Sequence, residues 1–142
     1  MPAVRTRRVI DIAGADAVIA AAERFALEKG HRVFIAVVDP AGELVPLRRT
    51  PDAQIASVRV AVDKARTAAI FVRPSRVSEE EVTGGRLGAL ALHGAWALIG
   101  GIPRVVDGVG SVADFRPRRT RVAAHGLEHL RRDDDRDPGL LC

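Results

Sequence analysis

The stretch Val33-Phe34-Ile35-Ala36-Val37-Val38-Asp39-Pro40-Ala41-Gly42-Glu43-Leu44-Val45-Pro46-Leu47-Arg48 decides the fold class. Its first six residues are an unbroken apolar run of strand length, rich in β-branched side chains. That pattern predicts a strand buried on both faces. Asp39-Pro40-Ala41-Gly42 reads as a turn, because Pro presets φ for the second turn position and Gly tolerates positive φ. Residues 43–48 then return as the second strand of a hairpin. Pro46 has no N–H to give a ladder, which places this strand at an edge or at a bulge.

Helical periodicity flanks the hairpin. On its N-terminal side, Ile12, Ala15, Val18, Ile19, Ala22, Phe25 and Ala26 recur on one face of a helix over about 11–29, with Asp11 as its cap and Gly30 as its stop. On its C-terminal side a second helix is expected over about 52–71, with Ile55, Val58, Val62, Ala65 and Ala69 as the core stripe. Arg59, Asp63 and Arg66 lie on its opposite, solvated face. Pro74 ends that helix, and Ser78 with Glu79-Glu80-Glu81 fits the start of a third, which Gly84, Gly85 and Gly88 weaken. Further on, 95–99, 104–106 and 109–113 are short strand candidates, with Gly100-Gly101-Ile102-Pro103 and Asp107-Gly108 as turns, and 122–130 closes as a helix. No regular βαβ alternation appears. The expectation is an α/β fold of the α+β type, a central antiparallel sheet flanked by helices in the order α-β-β-α-α-β-β-α. Residues 1–132 make one domain, and 133–142 a disordered acidic tail.

Composition narrows the function. The chain has 142 residues, 47% apolar and 28% charged, the size of one domain with its own core. No apolar run reaches the about 18 residues that a membrane span needs, and the basic N-terminus lacks the apolar stretch of a secretory signal. A cytoplasmic protein is the expectation. Cys142 is the single cysteine, so neither an intrachain disulfide nor a cysteine zinc site can form. Twenty Arg stand against two Lys, Lys29 and Lys64, which fits GC-rich coding bias better than chemistry. Residues 1–110 carry 15 basic and 12 acidic groups, 111–132 carry 6 and 2, and 133–142 carry 1 and 4. With no Tyr, one Trp and four Phe, there is no aromatic platform beside a basic face, so no nucleic-acid partner is expected.

Few residues suggest chemistry. The helical neighbours of Lys64 are Val60, Ala61, Thr67 and Ala68, with no carboxylate among them. Its ammonium either snorkels to the helix edge or points into a pocket, where it could bind a carboxylate or serve as a proton donor. His125 and His129, four apart, could share a metal with His93, but two exposed histidines near a frayed end fit the spacing better. His31 follows the helix stop and reads as surface. Gly84-Gly85-x-x-Gly88 lacks the strand before it and the Lys-Ser/Thr after it that a phosphate loop needs. Met1-Pro2 is a weak hint of a proline base.

Four motifs in order resemble one family. Ala36-Val37-Val38-Asp39-Pro40-Ala41-Gly42-Glu43-Leu44, Ala61-Val62-Asp63-Lys64-Ala65-Arg66-Thr67-Ala68 with Phe71, Arg73-Pro74-Ser75, and Gly100-Gly101-Ile102-Pro103 with Asp107-Gly108 are similar to the signatures of the GlcG/HbpS-type haem-binding family. That family also includes the C-terminal domain of PduO-type proteins. The resemblance covers roughly residues 8–110, with a fragment at 121–130. It implies a homo-oligomer of small α/β domains with a pocket for haem or another small molecule. On this resemblance the cofactor is haem. The residues expected at the site are Lys64, as catalytic group or anion clamp, with Ser75, Asp39 and Arg48 beside it. No metal-ion site is expected. The alternative function is an isomerase- or lyase-like enzyme acting on an organic acid or carbonyl compound. Two departures stand out. Ser75 stands where the family usually has a Thr, a residue type whose hydroxyl contacts iron in a haem-binding member, and residues 111–120 leave the family's Gly-rich pattern, through divergence or a compensated local frameshift. Asp39 and Arg48 should fall at opposite ends of the hairpin, which makes Lys64 and Ser75 the stronger pair.

Overall fold

A computed structural model describes residues 3, 4, 9–106 and 109–114, with side chains as far as residue 103. The elements run α1 (Ile12–Glu28), β1 (Phe34–Val38), β2 (Leu44–Arg49), α2 (Ser57–Phe71), α3 (Ser75–Thr83), a short 3-10 helix (Leu87–Ala91), β3 (Gly101–Val106) and β4 (Val109–Asp114). All strand pairs are antiparallel, and the sheet order is β2-β1-β4-β3. The expected fold class and element order hold over these residues. The closing helix at 122–130, the Asp107-Gly108 turn and the acidic tail lie outside the described residues. No described helix is long and apolar enough to cross a membrane.

The apolar run behaves as its sequence demands. Every residue of β1 is buried, and its alternation divides the interior into two cores. Val33, Ile35 and Val37 face α1 and meet Ala15, Val18, Ile19, Ala22 and Ala26. Phe34, Ala36 and Val38 face α2 and meet Ala61, Ala65 and Ala69. The small residues on that second side bring the α2 backbone close to the sheet. The Asp11 carboxylate accepts the Gly14 N–H at 2.7 Å and caps α1. Ile12 stands outside the stripe, 70% exposed, because it occupies the first turn before the helix reaches the sheet.

The hairpin turn is built by Asp39, whose carboxylate accepts the N–H groups of Ala41 (2.8 Å) and Glu43 (2.9 Å). Gly42 takes φ +85°. Pro46 sits on the edge strand β2, in a pair whose register shifts between Ala36 and Val38, so edge and bulge both accommodate it.

Several boundaries differ from the sequence reading. α2 begins at Ser57, not near 52, because Thr50 closes the end of the hairpin first. Its hydroxyl oxygen accepts the Val33 N–H at 2.7 Å, and Asp52 adopts φ +58°. Ile55 therefore precedes the helix and is exposed. α3 begins at Ser75, directly after Pro74, whose fixed φ suits the residue before a helix. Ser78 is consequently buried inside the helix rather than capping it. Residues 95–99 form no strand, and Gly101-Ile102-Pro103 open β3 rather than forming a turn. Arg66 is not simply solvated: its Nε donates to the Gly42 carbonyl at 3.0 Å, tying α2 to the hairpin tip.

α3 is clasped at both ends by one carboxylate. Arg73, ahead of the helix, donates to both oxygens of Glu81 (3.1 and 2.9 Å), and Arg86, beyond it, donates at 3.0 Å. The Arg73 hydrogen bond, opposed by partial burial and helped by the charges of Arg73 and Arg86, holds the Glu81 carboxyl below its ordinary value of 4.5. A carboxyl lowered in the folded state stabilises fully above the unfolded value and loses that contribution as pH falls through the folded one. Unfolding midpoints in urea should therefore drop more steeply on acidification below 4.5 in the wild type than in Glu81→Gln; parallel acid limbs would contradict this assignment.

Candidate functional site

The candidate site is organised by a segment without regular structure. Residues 92–100 connect the 3-10 helix to β3 and lie across α2 and α3. A chain segment with no ladder of its own needs other partners for its buried backbone groups. Polar side chains of the two helices supply them. Ser75 is fully buried, and its hydroxyl donates to the Leu98 carbonyl (2.6 Å) while accepting the Gly101 N–H (2.8 Å). The Thr67 hydroxyl accepts the Trp96 N–H at 2.9 Å and lies 2.7 Å from the Asp63 carbonyl and 3.1 Å from the Gly94 carbonyl. The Glu79 carboxylate accepts the Ile99 N–H at 3.0 Å. These bonds explain why 95–99 is not a strand: two of its donors point at helix side chains instead of a neighbouring strand.

Glycines set how closely the segment approaches. At Gly101 a Cβ would stand 2.1 Å from the Lys64 carbonyl oxygen and 3.0 Å from the Ser75 hydroxyl, so only glycine fits. At Gly94, φ +77°, a Cβ would fall 2.7 Å from the Ile70 Cδ1. The other branch of Ile70, Cγ2, would lie 3.1 Å from a Cβ at Gly42. Ile70 is thus held between the hairpin tip and the 92–100 segment.

The four residues expected at the site divide into two pairs. Lys64, 3% exposed, and Ser75 converge on Gly101, one through its backbone carbonyl and the other through its hydroxyl. Asp39 spends its carboxylate on the turn, and Arg48 lies 3.5 Å from Glu23 of α1. Asp39 follows Val38, which pairs with Leu44, whereas Arg48 pairs with Ile35. The hairpin therefore separates them, as their sequence positions imply. Thr67 and Glu79 carry roles that the sequence reading did not assign. Thr67 lies three residues after Lys64 in the same motif, which was the available signal; Glu79 had none, because its partner is a backbone N–H. His93 is exposed, and His125 and His129 lie outside the described residues. Among the described residues no three His, Cys, Asp or Glu side chains are grouped to hold a metal ion.

The surface over this region is apolar. Leu87, Leu90, Leu92 and Trp96 are between 40% and 66% exposed, and Ile70 is 39% exposed. Arg66 and Arg86 border it on the sequence side of Ile70 and Leu87 respectively, with Arg86 70% exposed.

Gly101→Ala should cost about 3 kcal/mol or more, since the clash is with backbone that cannot rotate away. Ser75→Ala should cost about 2 kcal/mol by leaving a buried N–H and a carbonyl unpaired. Urea unfolding of the two variants measures both, and a wild-type midpoint in Gly101→Ala would disprove the close approach.

Comparison with known proteins follows the same outline. Residues 10–113 match the model of the family described as "Haem degrading protein HbpS-like". Protein GlcG of Escherichia coli K12 is 35% identical over 111 residues, which is 77% of this chain and 83% of that one. Among solved structures, the Klebsiella pneumoniae protein ORFY superposes with a TM-score of 0.76 at 21% identity, covering 92% of this chain and 90% of that one. HbpS superposes with a TM-score of 0.73 at 22% identity, over 90% and 89%. A PduOC–haem complex superposes with a TM-score of 0.65 at 20% identity, over 85% and 88%. The four motifs, the antiparallel sheet and these matches agree, and the chain belongs to the HbpS-like family.

Proposed function

We propose that the protein binds haem, on the apolar surface built around residues 87–96. The observation that carries this reading is the exposure there of Leu87, Leu90, Leu92 and Trp96, in a family whose structural relatives include a haem complex. A porphyrin asks for three things: flat apolar contact, cations for its propionates and a donor for iron. The apolar contact is this surface. Guanidiniums are offered by Arg66 and Arg86, and imidazoles among the described residues by His31 and His93. Ser75 is not an iron donor in this reading, because its hydroxyl is enclosed and both its hydrogen bonds are made within the chain. Its role, with Lys64, is to set the wall that positions the surface. When bound, haem would supply the iron chemistry; the chain supplies contact, charge and the exclusion of water from one porphyrin face.

A second reading rests on Lys64. A lysine only 3% exposed on a helix of small residues suits an anion clamp or proton donor in an enzyme acting on an organic acid or carbonyl compound. Hemin titration with the Soret band as readout separates the two. The haem reading expects a saturable, shifted band whose position is unchanged in Ser75→Ala and in Lys64→Met. Absence of any saturable change in the wild type would remove haem and leave the enzyme reading ahead.

The same apolar exposure supports self-association, since a domain this small rarely leaves so many large apolar side chains in water. Light scattering at micromolar concentration should give a mass above the 15.2 kDa of one chain; a monodisperse monomer would count against it.

A further inference from the structure

The chain contains four His, one Met, one Cys and no Tyr, so imidazole is the main strong iron donor it can offer. Two of the four imidazoles are among the described residues, and their settings differ. His31 is half-buried in the link from α1 to β1, with its N–H donated to the Ala26 carbonyl and its own carbonyl 3.2 Å from the Thr50 hydroxyl. His93 is exposed, between the exposed Leu92 and the turn glycine Gly94.

The backbone that carries His93 is held from below. Gly94 packs on Ile70, its carbonyl lies 3.1 Å from the Thr67 hydroxyl, and the Trp96 N–H donates to the same hydroxyl. A side chain on such a pinned turn is presented with little backbone entropy left to lose on binding. On the same turn Leu92 and Trp96 are 40% and 46% exposed, and on the α2 turn beneath it Ile70 is 39% exposed. Arg66 lies one helical turn before Ile70 and is anchored through Nε to the Gly42 carbonyl, while its terminal amino group makes a 3.5 Å link to the exposed Glu43. So long a surface link contributes little and can be exchanged for a better-placed carboxylate. The 92–96 turn thus lies against the 66–70 turn of α2, and the two turns carry between them an imidazole, an indole, two aliphatic side chains and a guanidinium.

From this juxtaposition we infer that His93 is the iron-binding residue of the haem site, with Ile70, Leu92 and Trp96 as porphyrin contacts and Arg66 as a propionate partner. The inference rests on the haem reading above and names the residue within it. The neutral imidazole forms a nitrogen–iron bond by donating its ring lone pair, displacing a water or chloride of hemin, with no change in oxidation state.

Hemin titrated into the full chain, followed by absorbance and by electron paramagnetic resonance, tests the assignment. The wild type should show saturable binding with a nitrogen-ligated ferric signal. His93→Ala should bind about tenfold more weakly or worse and lose that signal. His31→Ala should match the wild type, and added imidazole should restore the nitrogen-ligated signal to His93→Gly. Circular dichroism of the variants verifies that a substitution on this exposed turn leaves the fold intact. Wild-type affinity and signal in His93→Ala would overturn the assignment while leaving the haem reading standing. No saturable binding by the wild type would overturn both.

Discussion

The contact on which the rest of the structure depends is the approach of Gly101 to the Lys64 carbonyl, closed by the Ser75 hydroxyl. At this point the start of β3 crosses α2 with no room for a side chain, and the first residue of α3 bonds the same peptide. Three elements far apart in the chain are thereby fixed at one place. Buried groups so close together cannot be re-solvated one at a time, so the junction is kept or lost as a unit. The 92–100 segment inherits its position from that junction and from Thr67 and Glu79, and the exposed apolar surface inherits its position from the segment.

Small residues make the approach feasible. Ala61, Ala65 and Ala69 let α2 lie close against β1 on one side, and Gly94 and Gly101 let the chain lie close on the other. α2 is in effect a buried rod between the sheet and an irregular covering. A rod of this kind has few exposed positions left for polar side chains, which is why Lys64 and Thr67 are as buried as their alanine neighbours. Beyond the buried Ile19, Phe34 and Ile35, several large apolar side chains, Leu87, Leu90, Leu92 and Trp96, stand outside the core.

How far the sequence could be read follows from the range of the interactions involved. The hairpin and α1 were legible because local chemistry decides them: an apolar run with no polar interruption, an Asp–Pro turn, and a capped amphipathic stripe. The start of α2 was misplaced because Thr50 acts across the hairpin on Val33, seventeen residues away. Residues 95–99 looked like a strand because their composition is that of one; the side chains that capture their backbone, Thr67 and Glu79, lie 29 and 20 residues earlier. Ser75 is marked in the sequence only by its place after Arg73-Pro74; its burial and its two bonds to the backbone of 98–101 depend on the fold. The Lys64 carbonyl and the Ser75 hydroxyl both abut Gly101, whereas Asp39 and Arg48 stand apart, as the hairpin register requires.

The strand order has a consequence for how the chain is made. β4 lies beside β1 in the middle of the sheet, yet it is the last described strand to be synthesised. Until residues 109–114 leave the ribosome, β1, the most apolar strand, has one edge unpaired. An open, uncharged edge on a strand of this composition is a template for wrong pairing with other chains. A nascent chain that stalls before β4 therefore exposes its most adhesive strand, and yield in a heterologous host becomes a matter of how quickly translation passes residue 114 as much as of native stability.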